Sequence, residues 1–260
     1  MTRFGNLELG GESEDSPHGR GPKELVKDEA YYFAEARTAH ENARFEQGLR
    51  LYSKVLEFNP SNAAAWTGQV QMLIELGEFK EAGLWADKAL ERFPSEPELL
   101  AAKAVALARS GDTHGALVFS DASISERGDR PYVWLARADV LLARAEQKAD
   151  YCFERALALA PQDWFVTWLA ARIRFFYRQF VLALKLLQQA VELNAGHWIL
   201  WLQLGECQQA LGLVGPARHS FLQAQQLNRN SREADLALLR LRETGLKTRL
   251  RGWWRRLFQS

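Results

Sequence analysis

Apolar residues recur along this chain three and four positions apart from about residue 24 to residue 243, the spacing of one face of a helix, and the pattern repeats. The clearest copy runs from Trp66 to Pro94. Trp66 opens it, the smaller Val70 follows four residues on, Gly77 marks a turn, Ala82, Ala86 and Ala89 line a second helix, and Pro94 closes it. Pro60 stands 34 residues before Pro94, and Gly128 stands 34 residues after it. This period predicts pairs of antiparallel helices joined by short turns. The large residue fills the space between the two helices, the small one lets them approach, and the alanines pack one pair on the next. Proline ends the second helix, because it has no N–H and its ring clashes with the preceding turn. A unit this small cannot bury its apolar face alone, so the copies must stack.

Six units are legible. The first spans about Glu29 to Asn62 and carries Tyr32, Ala36, Gly48, Tyr52, Val55 and Pro60; Trp66–Pro94 is the second. The third, Pro97 to Arg130, keeps Leu100, Ala104, Gly111 and Ala116 but has Ser120 and Ser123 in place of two alanines, which predicts a poorly packed second helix over about Thr113 to Glu126. The fourth begins at Pro131 with Trp134 and Ala138, closes with Ala149, Phe153, Ala156 and Pro161, and has Arg144-Ala145 where the turn glycine belongs, so its turn must differ. The fifth, Trp164 to about His197, has Ala171, Ala183, Leu187 and Ala190, with Ala195 replacing the closing proline. The sixth, Trp198 to Ser231, restores Trp201, Leu204, Gly205, Gly212, Ala217, Phe221 and Ala224. Arg232 to Glu243 reads as one more helix, charged enough to cap the stack. The expected organisation is therefore a disordered arm over 1–23, too poor in apolar residues to fold, a helical solenoid with its cap over 24–243, and a basic aromatic tail over 244–260.

These residues make the chain resemble the tetratricopeptide repeat family over about Glu29 to Glu243. The resemblance implies an all-α, right-handed superhelical solenoid of about six helix pairs plus a capping helix. Its first helices would line a concave groove that holds an extended peptide or a helix of a partner protein. It also implies an adaptor or scaffold rather than an enzyme. By register within the units, the groove residues would be Phe33, Arg37 and His40 from the first unit, Gln71 and Ile74 from the second, and Tyr132, Leu135 and Asp139 from the fourth. The fifth would supply Phe165, Trp168, Arg172 and Phe175, and the sixth Leu202, Glu206 and Gln209. Some family members hold a chaperone's C-terminal carboxylate with a Lys, Arg and Asn clamp. Phe33, Thr67, Ala101 and Gln71 stand at such positions here, so that clamp is absent. The wall is instead apolar and aromatic, which suits an apolar or amphipathic segment.

Composition and charge alter this picture little. The 33 basic residues nearly balance the 32 acidic ones, which argues against wholesale nucleic-acid binding. Between Trp164 and Phe180, Arg172, Arg174 and Arg178 interleave with aromatics; they read either as a base-stacking surface or as core aromatics with solvated arginines opposite. A hot spot for a protein ligand is the preferred reading. Cys152 and Cys207 form no Cys-x-x-Cys and read as small buried apolar residues. The histidines His18, His40, His114, His197 and His219 show no metal-ligand spacing, and no glycine-rich phosphate loop follows a strand. Acid pairs such as Glu75 with Glu78, or Glu81 with Asp87, read as solvated helix faces. No catalytic group, cofactor or metal is expected. No apolar run follows Met1 and none reaches the roughly 20 residues of a membrane span, so the expected location is the cytoplasm.

The tail adds a second reading. Leu246, Leu250, Trp253, Trp254 and Leu257 share one helical face, flanked by Lys247, Arg249, Arg251, Arg255 and Arg256 with no acid among them. Such a segment suits a peripheral tether to an anionic inner-membrane surface, contact with an acidic partner, or packing on the last repeat. The function expected is a non-enzymatic scaffold, with a membrane-surface assembly factor as the alternative and RNA binding disfavoured.

Overall fold

Each predicted unit folds as two antiparallel helices. The structure, a computed structural model, describes residues 27–241. The expectations for the arm over 1–23 and the tail over 244–260, with the contacts assigned to Lys247, Arg249, Arg251, Trp253, Trp254, Arg255 and Arg256, lie outside the described residues. The pairs are α1 (Glu29–Glu41) with α2 (Phe45–Phe58), α3 (Ala63–Glu75) with α4 (Phe79–Leu90), and α5 (Pro97–Ser110) with α6 (Thr113–Glu126). They continue as α7 (Pro131–Ala143) with α8 (Ala149–Leu159), α9 (Trp164–Phe176) with α10 (Phe180–Leu193), and α11 (Trp198–Ala210) with α12 (Val214–Leu227). A helical run α13 over 232–241 covers the end of the stack, and the described residues contain no strand. Helices pack on their neighbours in sequence, and first helices also touch those of the next unit, α3 on α5, α5 on α7 and α7 on α9. From α3 to α9 the first helices therefore make one continuous inner wall.

A left-handed residue sits in every inter-helix turn: Ala43, Gly77, Gly111, Ala145, Arg178 and Gly212, with φ between 54° and 103°. In each turn its amide donates to the carbonyl three residues back, and the next amide donates to the carbonyl five residues back, as Gly77 to Ile74 and Glu78 to Leu73 do. These bonds satisfy carbonyls that the end of the first helix would otherwise leave open. Ala145 thus takes the glycine's place in the fourth unit. The departure comes just after it, where α8 starts only at Ala149 and is 11 residues long. An L-residue held at positive φ costs about 1–2 kcal/mol, which the loss of glycine's freedom in the unfolded chain partly offsets. A Cβ on Gly77 would meet nothing within 4 Å, so only the backbone conformation is at stake there. Gly77→Ala should therefore lower stability by about 0.5–1 kcal/mol, and Ala145→Gly, at an exposed position, should raise it by about as much. Urea midpoints moving in the same direction for both variants would contradict this.

Three tryptophans tie their first helices to the preceding unit. Trp66 donates from Nε1 to the Pro60 carbonyl at 3.0 Å, Trp134 to Gly128 at 2.7 Å, and Trp201 to Ala195 at 2.8 Å. In the fifth unit this register position holds Thr167, and Trp168 is one residue out of step, so its indole turns to the inner wall. Proline or a short polar residue starts most first helices. Pro97 and Pro131 occupy the first turns of α5 and α7, while Asp28, Asn62 and Asp163 accept from amides of α1, α3 and α9.

The second helix of the third unit is better held than its serines predict. Ser123 donates to the Pro97 carbonyl at 2.7 Å, and Ser120 accepts from Arg137 at 3.2 Å, both fully inside. Hydrogen bonds do there what alanine packing does elsewhere, which corrects the expectation of a loose helix. Cys152 and Cys207 are free and buried. Burial raises both thiols, Cys207 to about 11, and Cys207 donates to the Phe180 carbonyl at 3.1 Å, so neither is a ready nucleophile.

Candidate functional site

The curvature of the inner wall brings the first unit round to the fifth and sixth. Trp198, at the head of α11, donates from Nε1 to the Asn42 side chain in the first turn at 2.7 Å, across 156 residues of sequence. Ala43 and Phe45 pack against the apolar cluster of the last units. The His40 ring meets Phe165 edge-on at 5.0 Å and lies 6.5 Å from Trp168. Arg172 on α9 reaches Glu75 on α3 with Nε 3.0 Å from Oε2, and its guanidinium lies 4.8 Å from the Phe45 ring and 5.1 Å from Trp168. A strut of side chains thus crosses the hollow.

A second polar cluster lies on the wall beside it. Arg109 (α5) grips Asp139 (α7), Nη2 to Oδ2, at 2.6 Å, and Tyr177 donates to the other carboxylate oxygen at 2.8 Å. Asp139 has no exposed surface. The guanidinium of Arg109 also sits 4.1 Å from the Phe176 ring.

These contacts set the charge states. Burial acts to raise Glu75, but the guanidinium groups of Arg172 and Arg109 outweigh it and hold the carboxyl below its usual range. Burial lowers His40 to about 4, so the imidazole is neutral near pH 7, and its Nε2 has no hydrogen-bond partner among the described residues. The phenols of Tyr132 and Tyr177 are raised, first by burial and then by the Asp139 charge. Glu206 is raised by burial against the pull of Arg172 and Arg240.

Between the strut and the wall lies a cavity of about 310 Å³. Its apolar side is Ile74, Leu76, Phe79, Ala171, Phe175, Phe176 and Leu187, and its polar side is Glu75, Arg109, Arg172, Gln203 and Glu206. Beyond the strut a wider depression of about 660 Å³ runs along Asn42–Gln47, Arg50, Trp198, Leu202 and Glu233.

A family model described as Tetratricopeptide repeat matches residues 18–159. The chain belongs to the tetratricopeptide repeat family. Solved structures of the same fold include a thermophilic tetratricopeptide repeat protein of Thermus thermophilus, 19% identical over 70% of this chain and 99% of that one, with a TM-score of 0.54. Another, from Parabacteroides merdae, is 17% identical over 84% of this chain and 86% of that one, with a TM-score of 0.52. A chain of the APC/C hetero-tetramer Cut9–Hcn1 is 15% identical over 84% of this chain, at a TM-score of 0.50, and this chain spans 44% of its length. No curated protein matches.

In this tetratricopeptide repeat stack the expected groove residues divide by burial. Ile74, Arg172, Phe175 and Glu206 meet at the cavity between strut and wall. Tyr132, Leu135 and Asp139 meet Ile74 around a void of about 30 Å³, too small for a ligand group. Leu135, Asp139 and Trp168 expose nothing, and His40 and Leu202 almost nothing, so they shape the wall from behind. Phe33 leans on Tyr52, Arg37 is exposed beside Glu41, and neither reaches the cavity, nor do Gln71 and Gln209.

Glu75, Arg109, Phe79, Phe176 and Gln203 complete the site and escape sequence reasoning. The reading of Glu75 as part of a solvated face is corrected: its side chain is 13% exposed and neutralised by Arg172. The alternative of solvated arginines in the fifth unit is corrected for Arg174. Arg174 pairs with Asp150 and lies 3.9 Å from the Phe153 ring, so of the three only Arg178 is exposed. A signal for Glu75 and Arg109 does exist in the repeat register, since each stands two residues before a left-handed turn residue, Gly77 or Gly111.

Proposed function

We propose that this chain is a non-enzymatic adaptor that receives an apolar or amphipathic segment of a partner protein in its concave hollow. The observation that carries this reading is the cavity walled by Ile74, Phe79, Phe175, Phe176 and Leu187 and edged by charged groups. Phe176, 46% exposed, gives an apolar partner group a ring to cover at this cavity. A partner's side chain entering the cavity would exchange water for ring contacts, while Gln203 and the charged edge orient its polar groups. The acids on the wall are committed elsewhere: Asp139 is held by Arg109 and Tyr177, and Glu75 by Arg172. Both serve cohesion of the stack rather than acid–base chemistry. Partner binding therefore falls to Ile74, Arg172, Phe175, Phe176 and Glu206, with Trp168, Leu135 and Asp139 supporting them.

Affinity purification of the full chain, followed by titration with the recovered partner, tests this. Phe176→Ala should weaken binding about tenfold or more, the scale of a hot-spot truncation, while the far-UV spectrum and melting transition stay close to wild type. Equal affinity for wild type and variant would remove the cavity from the binding site.

A further inference from the structure

The charged groups around the cavity do not stand in equivalent states. Arg109 is neutralised by Asp139, and Arg172 by Glu75. Glu206 alone among the cavity's charged side chains has no hydrogen bond or ion pair with the described residues, and it is solvent-exposed. Its α11 position brings the carboxyl to the rim shared by the cavity and the wider depression. That depression carries both signs, Arg44 and Arg50 against Glu46 and Glu233, so it sets no preference of its own.

We infer that the segment seated in this cavity presents a lysine or arginine side chain to Glu206, next to the apolar side chain that enters among Phe79, Phe175 and Phe176. This rests on the adaptor reading and adds the chemistry of the ligand. While the hollow is open, water solvates the Glu206 carboxylate. A partner that covers it must either supply a positive charge or leave an anion stranded against aromatic rings, and the stranded charge opposes binding. A cation placed there gains the carboxylate, and its alkyl stem can lie against the apolar side of the same cavity. An acidic segment would meet the Glu206 charge and find both cavity arginines already held by carboxylates.

Three probes that share one ring and differ only in charge test the inference: phenethylammonium, phenethyl alcohol and 3-phenylpropionate, titrated into the full chain and followed by amide chemical shifts at Gln203 and Phe176. Phenethylammonium should bind about tenfold more tightly than the alcohol, and the carboxylate most weakly. Glu206→Gln should abolish the ammonium's advantage and leave the alcohol unchanged, while Phe176→Ala should weaken all three. Equal binding of ammonium and alcohol to wild type would overturn the cation site, yet leave an apolar docking cavity standing. An ammonium preference that survives Glu206→Gln would overturn it too. The adaptor reading fails separately, if the recovered partner binds Phe176→Ala as it binds wild type.

Discussion

Trp168→Ala should destabilise the stack by about 3–5 kcal/mol, the cost of removing a large aromatic from a filled interior. As a residue of an open groove wall it would instead be expected to affect only partner affinity. Trp168 has no exposed surface, its ring lies 5.3 Å from Phe165, and Arg172 covers it from the hollow. Alanine would leave a hole beneath the strut, where His40, Phe45 and Arg172 of distant units converge. Because coupling in a repeat stack runs mainly between neighbours, the loss should be felt first as faster hydrogen exchange in α1, α2 and α9, together with a lower urea midpoint. A midpoint shift worth less than about 1 kcal/mol would mean that the first unit does not close over the fifth.

Acidification should loosen the same contact. An unfolded or opened chain protonates His40 through its ordinary value of 6.5, whereas the folded chain holds the imidazole neutral down to about 4. Between those values the open state binds more protons, so stability falls as pH drops from about 6.5 to about 4, by a total of about 3 kcal/mol for this one group. Burial is the main cause, partly offset by the attraction of Glu75 and reinforced by Arg172. Glu75, held low, contributes stability that is lost only as pH falls further, through its own depressed value. Glu98 and Glu206, both raised by burial, act in the opposite sense. His40→Phe isolates the imidazole, since it should flatten the midpoint-versus-pH curve between about 6.5 and 4. Parallel curves for wild type and variant would assign the acid sensitivity to the carboxylates.

Both results turn on contacts that join residues far apart in sequence. The period marked the helices because each unit repeats the same local requirements: a large filler, a small contact residue, alanines between pairs and a stop. The same register puts Arg172 and Glu206 on first helices at the cavity, whereas Trp168 is buried behind it. The exposure of those positions was not legible. Glu75 looks like any acid on a solvated helix until Arg172, 97 residues away, arrives beside it. The turns without glycine illustrate the same limit at short range. Nothing in Ala145 or Arg178 favours positive φ, and both adopt it in turns whose amides close onto the end of the preceding helix.

The sequence by itself determined the helix pairs and their order, because these follow from spacing within about 34 residues. Only the tertiary structure decided how far the stack curves, and therefore that Asn42 meets Trp198, that His40 loses its water, and that Glu206 keeps an open carboxylate. Curvature accumulates from small rotations at every interface between units, and no single unit encodes their sum.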